Sequence, residues 1–206
     1  MTSLSRVPPG RAGRLWLRRR LATAERGLEL LDRKLRILRA EHDRLVLQAT
    51  RTGEEWTAAY AEARTWGLRA CLLSGRAALR PADPAGVAVT WKYAMGTGYP
   101  DHATCVPGIP PDALDGSTAL RRAREAHRSA LEAAARHAAA QEAERILGRE
   151  VTATGQRIRA LRDRWIPALH RSITDIELAL DEMERSDAAR LLRAASGRTA
   201  RDDGPR

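Results

Sequence analysis

Aromatic side chains are scarce in this sequence. Phenylalanine is absent, and aromatic residues make up 4% of the 206 residues. A chain of this composition is unlike one that folds around a large globular core. The two cysteines, Cys71 and Cys105, are far apart, so they build neither a disulfide framework nor a four-cysteine zinc site. We therefore expect a protein of the reducing cytosol.

The sequence also lacks the segments that enter membranes and the loops that hold nucleotides. It contains no run of about 18 apolar residues, and "MTSLSRVPPGRAGRLWL" has no signal-peptide core. Lys34 and Lys92 do not follow a glycine-rich loop, and Gly96 and Gly98 have no third glycine or following helix. We expect a soluble or peripheral protein without direct membrane insertion and without a bound nucleotide.

Candidate catalytic and metal-binding residues are few and scattered. His102 and Cys105 have a usable spacing, but nothing nearby completes a set of three or four ligands. His127, His137 and His170 are at separations that do not bring two of them onto one helix face with a glutamate between them. The sequence therefore predicts no catalytic residue, no cofactor and no metal, and a protein that is not itself an enzyme.

Charged residues are abundant, at 30% of the chain, and the net charge is +10, carried almost wholly by arginine. Together with abundant alanine and leucine, this composition is typical of long helices and coiled coils. The positive charge favours an acidic partner, which could be nucleic acid, an anionic membrane or an acidic protein cavity.

A heptad pattern begins at Leu17 and alternates steps of four and three over seven repeats. Such a seam predicts a left-handed coiled coil. His42 and Thr52 lie on it, and a polar seam residue typically fixes the register of the helices. The seam consists of Leu17, Leu21, Ala24, Leu28, Leu31, Leu35, Leu38, His42, Leu45, Ala49, Thr52, Trp56, Ala59, Ala63 and Trp66.

The first helix is predicted over about 11–78, because Pro81 and Pro84 cannot continue it. Residues 79–116 form the next segment, in which large residues alternate with small or polar ones and Gly96 supplies a turn. This period of two predicts a short β-hairpin, which needs support from the helices or from a partner. The alternating residues are Val87, Val89, Trp91, Tyr93 and Met95.

A second helix is predicted over 117–194, with Ser117 or Thr118 as its N-cap, and a disordered tail over 195–206. Two such long helices must run antiparallel if they pack on each other. The predicted fold is all-α, a single domain over 1–206. It is a long antiparallel two-helix coiled coil with a short β-hairpin and extra helical turns opposite the termini. The second seam reads Leu147, Val151, Thr154, Ile158, Leu161, Trp165, Leu169, Ile173, Ile176, Leu180 and Met183.

Pro167 stands inside the second helix, where a proline removes one hydrogen bond and costs about 3 kcal/mol. Around it the seam takes three consecutive steps of four, from Leu161 to Ile173. This stutter locally unwinds a supercoil. We expect Pro167 to kink the helix where the supercoil is already irregular.

Two surface features bear on function. The arginines Arg14, Arg18, Arg19 and Arg20 could follow a phosphate backbone, which keeps open a basic coiled-coil protein that binds nucleic acid or acts as a scaffold. A second apolar stripe lies off the seam, and such a stripe usually marks a surface covered by another protein. Its members are Trp16, Leu30 and Ile37.

Three segments resemble the D subunit of the V-type and A-type rotary ATPases. "RIRALRDRWIPALHRSITDIELALDE" resembles the C-terminal helix of that family in its Ile-Pro pair, Ile166 and Pro167, followed by Leu169. "KYAMGTGYP" resembles its hairpin. "GRLWLRRRLATAERGLELLDRKLRIL" resembles its N-terminal helix, with an Ala-x-x-Gly-x-x-Leu-Leu core that starts at Ala24.

The resemblance implies a non-catalytic central-stalk, or rotor, subunit that couples ATP synthesis or hydrolysis to proton or sodium transport. The implied partners are a hexameric ring of catalytic A and non-catalytic B subunits, the small F subunit, and the membrane-side connecting subunit (C/d), with no nucleic acid. The implied location is the cytoplasm, at the inner face of the plasma membrane. We expect ring contacts from Arg14, Arg18, Arg19, Arg20, Arg162, Arg164 and Arg171, and partner contacts at the hairpin from Trp91, Tyr93 and Met95.

Overall fold

The computed structural model describes residues 7–75, 84–106 and 117–202, with the side chains of the last helix described to residue 194. A long helix pair and a two-stranded antiparallel hairpin account for these residues, so the predicted fold class is confirmed. The elements are α1 (Gly10–Ser74), β1 (Gly86–Ala94), β2 (Thr97–Val106), α2 (Thr118–Ala160), a π turn (Leu161–Trp165) and α3 (Ile166–Asp202).

The helix ends have local causes. After Ser74, Gly75 takes φ 74° and its N–H donates to the Cys71 carbonyl at 2.9 Å, the left-handed cap that favours glycine. The Ser117 hydroxyl accepts a bond from the Leu120 N–H at 3.3 Å, which confirms Ser117 as the N-cap of α2.

Two boundaries differ from the predictions or lie outside the described residues. The last helix ends at Asp202 rather than at 194, so it extends into the segment that we expected to be disordered. The predicted end of α1 at 78 and the extra helical turns fall in 76–83 and 107–116, outside the described residues. Contacts within the chain group into two compact units, unit 1 (1–32 and 156–206) and unit 2 (33–155). The single domain that we expected stays a prediction.

Unit 1 is an antiparallel pair of helix segments, from the start of α1 and from α3 with the π turn. Its core holds large side chains, with Leu17 and Leu169 fully buried and Trp165, Ile173 and Ile176 packed against them. These are positions of the predicted seams. Burial of each such side chain contributes about 1.5–3 kcal/mol.

Unit 2 pairs the rest of α1 with α2 and carries the hairpin. Its seam is mostly alanine, and small side chains allow the two helix backbones to approach closely. Tyr99 of the hairpin packs on Leu45, Ala143 and Leu147 and so joins the hairpin to both helices. The buried alanines of α2 are Ala119, Ala123, Ala126, Ala130, Ala133, Ala139, Ala140 and Ala143.

The helix around Pro167 contains a π turn rather than a break. The Ile166 N–H donates to the Leu161 carbonyl, five residues back, so this turn holds one residue more than an α turn. The extra residue accounts for the three steps of four in the seam, because Trp165 and Leu169 both reach the core of unit 1. Pro167 has no N–H to donate, and it follows the turn in which the α-helical bonding is already interrupted.

The hairpin closes through a two-residue turn. Ala94 pairs with Thr97, and Met95 and Gly96 between them take φ values of 49° and 84°. Two positive φ values are what a type I′ turn requires, and its twist matches that of the strands. The pairing shifts by one residue between Thr90 and Trp91, beside Pro100 of β2.

Candidate partner-binding surfaces

Metal-ligating side chains are scattered among the described residues. No group of three or more histidine, cysteine or acidic side chains comes together in 7–75, 84–106 or 117–194. None of the helices described is both long and apolar enough to cross a membrane. What the structure does present is two surfaces formed by the residues singled out in the sequence.

The first, here called the basic surface, is a set of arginines of unit 1 that lie at several positions around its helices rather than on one face. Two of its arginines bridge the helix pair, because Arg18 contacts Glu177 at 2.6 Å and Arg162 contacts Asp32 at 3.1 Å. Exposed pairs of this kind contribute at most about 1 kcal/mol each. The members of the basic surface are Arg14, Arg18, Arg19, Arg20, Arg162, Arg164 and Arg171.

Two tryptophans hold the guanidinium group of Arg20. Its central carbon lies 4.9 Å from the ring centroid of Trp16 and 5.4 Å from that of Trp165. Such cation–π contacts favour a fixed side chain over a freely rotating one. Trp16 is therefore half-buried beside Leu17, and the expectation that it belongs to an exposed off-seam stripe is wrong.

The other expected members of that stripe are exposed, each within its own unit. Leu30 in unit 1 is 63% exposed, and Ile37 in unit 2 is 45% exposed. A shallow groove in unit 1, lined by Trp16, Arg19 and Trp165 among others, adds apolar surface next to positive charge. An acidic segment with apolar neighbours matches this chemistry.

The remaining arginines of the basic surface differ in how far they extend into solvent. Arg19 and Arg164 are exposed, and Arg14 is half-buried. Arg171 donates from Nε to the Pro167 carbonyl at 3.4 Å, one turn back along α3. The structure thus places all seven arginines on unit 1 but gives them different partners.

The second surface, here called the hairpin face, is the exposed side of β1 with its turn. Trp91 is 59% exposed, Tyr93 74% and Met95 44%. The Tyr93 ring covers Gly98, its partner on β2, so closely that a Cβ at Gly98 would lie 2.9 Å from the ring. Covering a strand glycine with an aromatic ring stabilises the pairing.

Met95 occupies a conformation that its side chain disfavours. A left-handed backbone costs roughly 1–2 kcal/mol for a residue other than glycine, and asparagine tolerates it better. The methionine stands at the tip of the hairpin, exposed to solvent. Strain of this kind concentrates at functional positions.

Tyr99 anchors the hairpin to α1 through one hydrogen bond. Its ring is fully buried, and its hydroxyl donates to Glu41 at 2.6 Å. Arg44 bonds the same carboxylate at 2.8 Å, and the Lys92 ammonium lies 3.8 Å away. The bonds from Arg44 and Tyr99 lower the pKa of Glu41 to about 2. Burial, together with the Glu41 carboxylate, raises the pKa of Tyr99 to about 12.

Sequence reasoning did not find this anchor. The alternation of large residues drew attention to Trp91 and Tyr93, which lie on the exposed strand. Tyr99 is the only aromatic residue of β2, and a buried tyrosine needs a partner for its hydroxyl. A tyrosine in β2 therefore predicts that its hydroxyl binds a polar group, but the sequence does not identify Glu41 as that group.

The described residues therefore form a mainly helical fold with one small antiparallel hairpin. Among known proteins, the sequence model of the family described as the D subunit of ATP synthase matches residues 15–196. The chain belongs to this family. The resemblance found in the three sequence segments is thereby confirmed, and of the two functions left open it favours a subunit of a rotary ATPase.

Individual relatives agree with the family assignment. The chain is 30% identical to the V-type ATP synthase D subunit of Thermus thermophilus, over 98% of this chain and 95% of the relative. It is 29% identical to the protein of that name from Anaeromyxobacter sp., over 98% and 99%. A third, from Thermotoga neapolitana, is 28% identical over 91% and 96%.

Proposed function

We propose that this chain is the central-stalk, or rotor, subunit of a V/A-type rotary ATPase. It transmits torque between a catalytic A/B hexamer and the membrane ion-translocating ring, and so couples ATP synthesis or hydrolysis to proton or sodium transport. The observation that carries the proposal is the match to the D-subunit family over residues 15–196. The subunit itself is non-catalytic and works at the inner face of the plasma membrane, in the cytoplasm.

Torque transfer needs an element whose parts stay together under load. In unit 1, the pairs Arg18–Glu177 and Arg162–Asp32 bridge the helices around a core of large side chains. A rotor changes the state of a ring site only through contacts that differ between its orientations. The basic surface supplies such contacts in our proposal, with acidic side chains of the ring opposite them.

The ring contact can be tested without damaging the subunit. Arg14, Arg19 and Arg164 have no role in the interhelical pairs described above, so the triple change to glutamate leaves those pairs intact. We expect this variant to bind the A/B hexamer at least tenfold more weakly and to lose coupled ATPase activity. The matched control reverses the charge of three arginines of unit 2, which are Arg121, Arg128 and Arg149.

Both variants carry the same change in net charge, so a general electrostatic effect would weaken both equally. The proposal requires that only the unit 1 variant lose binding. If the unit 1 variant assembled with the ring and retained coupled ATPase activity like the control, the proposed contact between the basic surface and the ring would be wrong.

For the hairpin face we propose contact with the F subunit and with the membrane-side connecting subunit. Trp91 provides exposed apolar area at the centre of β1. We expect Trp91→Ala to weaken co-purification of the F subunit, whereas Thr104→Ala on β2, also exposed, leaves it unchanged. Retention of the F subunit by the Trp91 variant at wild-type stoichiometry would contradict this contact.

We also propose that Pro167 causes a local bend in the helix, and that this bend matches the asymmetric bore of the ring. Pro167→Ala restores an N–H. A proline costs about 3 kcal/mol in a regular helix interior, and the π turn before Pro167 reduces this cost, so the expected gain is smaller. We expect a straighter helix axis and a more stable isolated chain. An unchanged axis in the structure of the variant would argue that the π turn alone sets the path of the helix.

A further inference from the structure

Three histidines of unit 2 lie over glycines of the facing helix. A Cβ built on each glycine would lie 3.0–3.1 Å from the nearest ring atom, closer than an ordinary van der Waals contact. Only glycine leaves room for the ring without a shift. The three pairs, here called the His–Gly sockets, are His42 over Gly148, His137 over Gly53 and His127 over Gly67.

Local contacts hold two of the three socket rings in place. The His137 ring stacks on Trp56, with centroids 5.6 Å apart and planes 11° apart, and its Nδ1 lies 3.3 Å from the Thr52 hydroxyl. The His127 Nδ1–H donates to the Ala123 carbonyl at 2.8 Å. A ring with a fixed orientation fits its socket at one axial position.

Between the His137 and His127 sockets, the seam carries little information about register. Alanines of α1 such as Ala63 pack against alanines of α2 such as Ala126 and Ala130. Because these side chains are identical, moving one helix by a heptad replaces one alanine contact by another. A slide of seven residues is about 10 Å along the helix.

The same slide changes every socket. A slide that raises the number of the facing residue by seven brings His42 to Gly155, His137 to Tyr60 and His127 to Ser74. The opposite slide brings His42 to Gln141, His137 to Val46 and His127 to Tyr60. Only Gly155 can accept a ring as the present partners do. Both slides therefore place at least two rings against a side chain.

We propose that the three His–Gly sockets fix the axial register of α1 and α2 in unit 2. The alanine seam supplies close approach of the helices, and the sockets supply the single register. This gives a concrete role to His42 and Thr52, the two polar seam positions. The proposal holds whether or not the chain acts as a rotor.

Distance measurement between spin labels on the full chain tests this directly. With Cys71→Ser and Cys105→Ser as background, cysteines introduced at the exposed positions Glu62 and Arg128 carry one label on each helix. We expect one distance in the parent chain. Changing all three socket histidines to alanine should add a second, longer distance from chains displaced by about 10 Å.

The matched control changes His102 and His170, both exposed and outside the sockets, to alanine and should keep the single distance. A socket variant with the same single distance as this control would overturn the proposal, because the hairpin or the alanines would then fix the register without the rings.

A second measurement uses the glycines. Gly155 faces open space, so Gly155→Ala should raise the folding equilibrium constant of the full chain about fivefold through helix propensity. Gly53→Ala meets the His137 ring and should lose that gain, and adding His137→Ala should restore it. Equal stabilisation by Gly53→Ala and Gly155→Ala would show that the socket is not filled, against the proposal.

Discussion

The two units hold their helix pairs together with side chains of different size. In unit 1, Leu17, Leu169 and Trp165 form a core whose shape is irregular, so few alternative alignments fill it. In unit 2, alanines such as Ala63 and Ala130 form a uniform seam with less apolar area per residue. The packing of unit 1 therefore sets stability and register together, whereas unit 2 must obtain them separately.

Unit 2 obtains what its alanines lack from other groups. Tyr99 of the hairpin places a large side chain against the seam. The His–Gly sockets make the otherwise uniform seam irregular. The half-buried pair of Lys34 and Glu150, at 2.8 Å, bridges its helices, whereas the bridging pairs of unit 1 are more exposed. Single substitutions can separate these contributions.

The strongest test compares one core position from each unit. Leu169→Ala in unit 1 should lower the free energy of unfolding by about 2–5 kcal/mol, because a fully buried leucine leaves a cavity. Ala130→Gly in unit 2 should cost about 1 kcal/mol. Denaturant titration measures both. The exposed Leu178→Ala serves as control, with a change within about 0.5 kcal/mol. Equal losses of unfolding free energy in the Leu169 and Ala130 variants would contradict the difference between the two cores.

Gly13 in unit 1 is required for a different contact from the one that requires glycine in the sockets. A Cβ at Gly13 would clash with the Pro8 carbonyl oxygen and would lie 2.8 Å from Ile176 Cδ1. Gly13→Ala should therefore destabilise the chain by about 1–3 kcal/mol in thermal unfolding. Gly27→Ala, in open space on the same helix, should stabilise it by about 1 kcal/mol. A stabilising Gly13→Ala would show that the chain before α1 does not pack here.

The hairpin anchor of unit 2 should depend on pH. Tyr99→Phe should cost about 1.5 kcal/mol at pH 7, since a bond to a charged carboxylate is lost. Folding lowers the pKa of Glu41 to about 2, so its contribution is present above pH 4.5 and is lost as pH falls toward 2. Folding raises the pKa of Tyr99 to about 12, so its contribution is present below pH 10 and is lost toward pH 12.

Hydrogen exchange of β2 amides in wild type and Tyr99→Phe, measured across this range, checks the prediction. The difference between the two chains should be largest from about pH 5 to pH 10. A difference that is independent of pH would mean that the phenol acts only by packing, and the charge on Glu41 would not contribute.

The smallest expected effect lies at the hairpin tip. Met95→Asn relieves left-handed strain and should stabilise the hairpin by about 1 kcal/mol. It also removes an exposed apolar side chain from the hairpin face. Gain of hairpin protection together with weaker binding of the F subunit would link the strain to function, whereas unchanged binding would reduce Met95 to a turn residue.

Much of the helix pair is predictable because a heptad seam encodes burial directly. Leu17, Leu38, Leu45, Leu147 and Leu169 are all fully buried, as the pattern predicts. Two seam positions differ, with Trp56 38% exposed and Met183 53% exposed. The pattern places a residue on a face, but the amount of burial depends on the side chain opposite.

The remaining features depend on contacts that no local pattern contains. The π turn is visible in the sequence only as three steps of four, and the choice between a kink and a shift in hydrogen bonding is settled by the core around Trp165. The bond from Tyr99 to Glu41 and the His–Gly sockets need the pairing of helices and hairpin first. Sequence reasoning named His42 as a register device without its glycine.

The central claim is that the chain turns inside a ring as a rotor. We would assemble it with the A/B hexamer, immobilise the ring, attach a bead through a cysteine introduced at the exposed Asp101 of the hairpin, and add ATP. The account predicts stepwise rotation in one direction. A bead that stays fixed, or that moves without direction while the ring hydrolyses ATP, would contradict it.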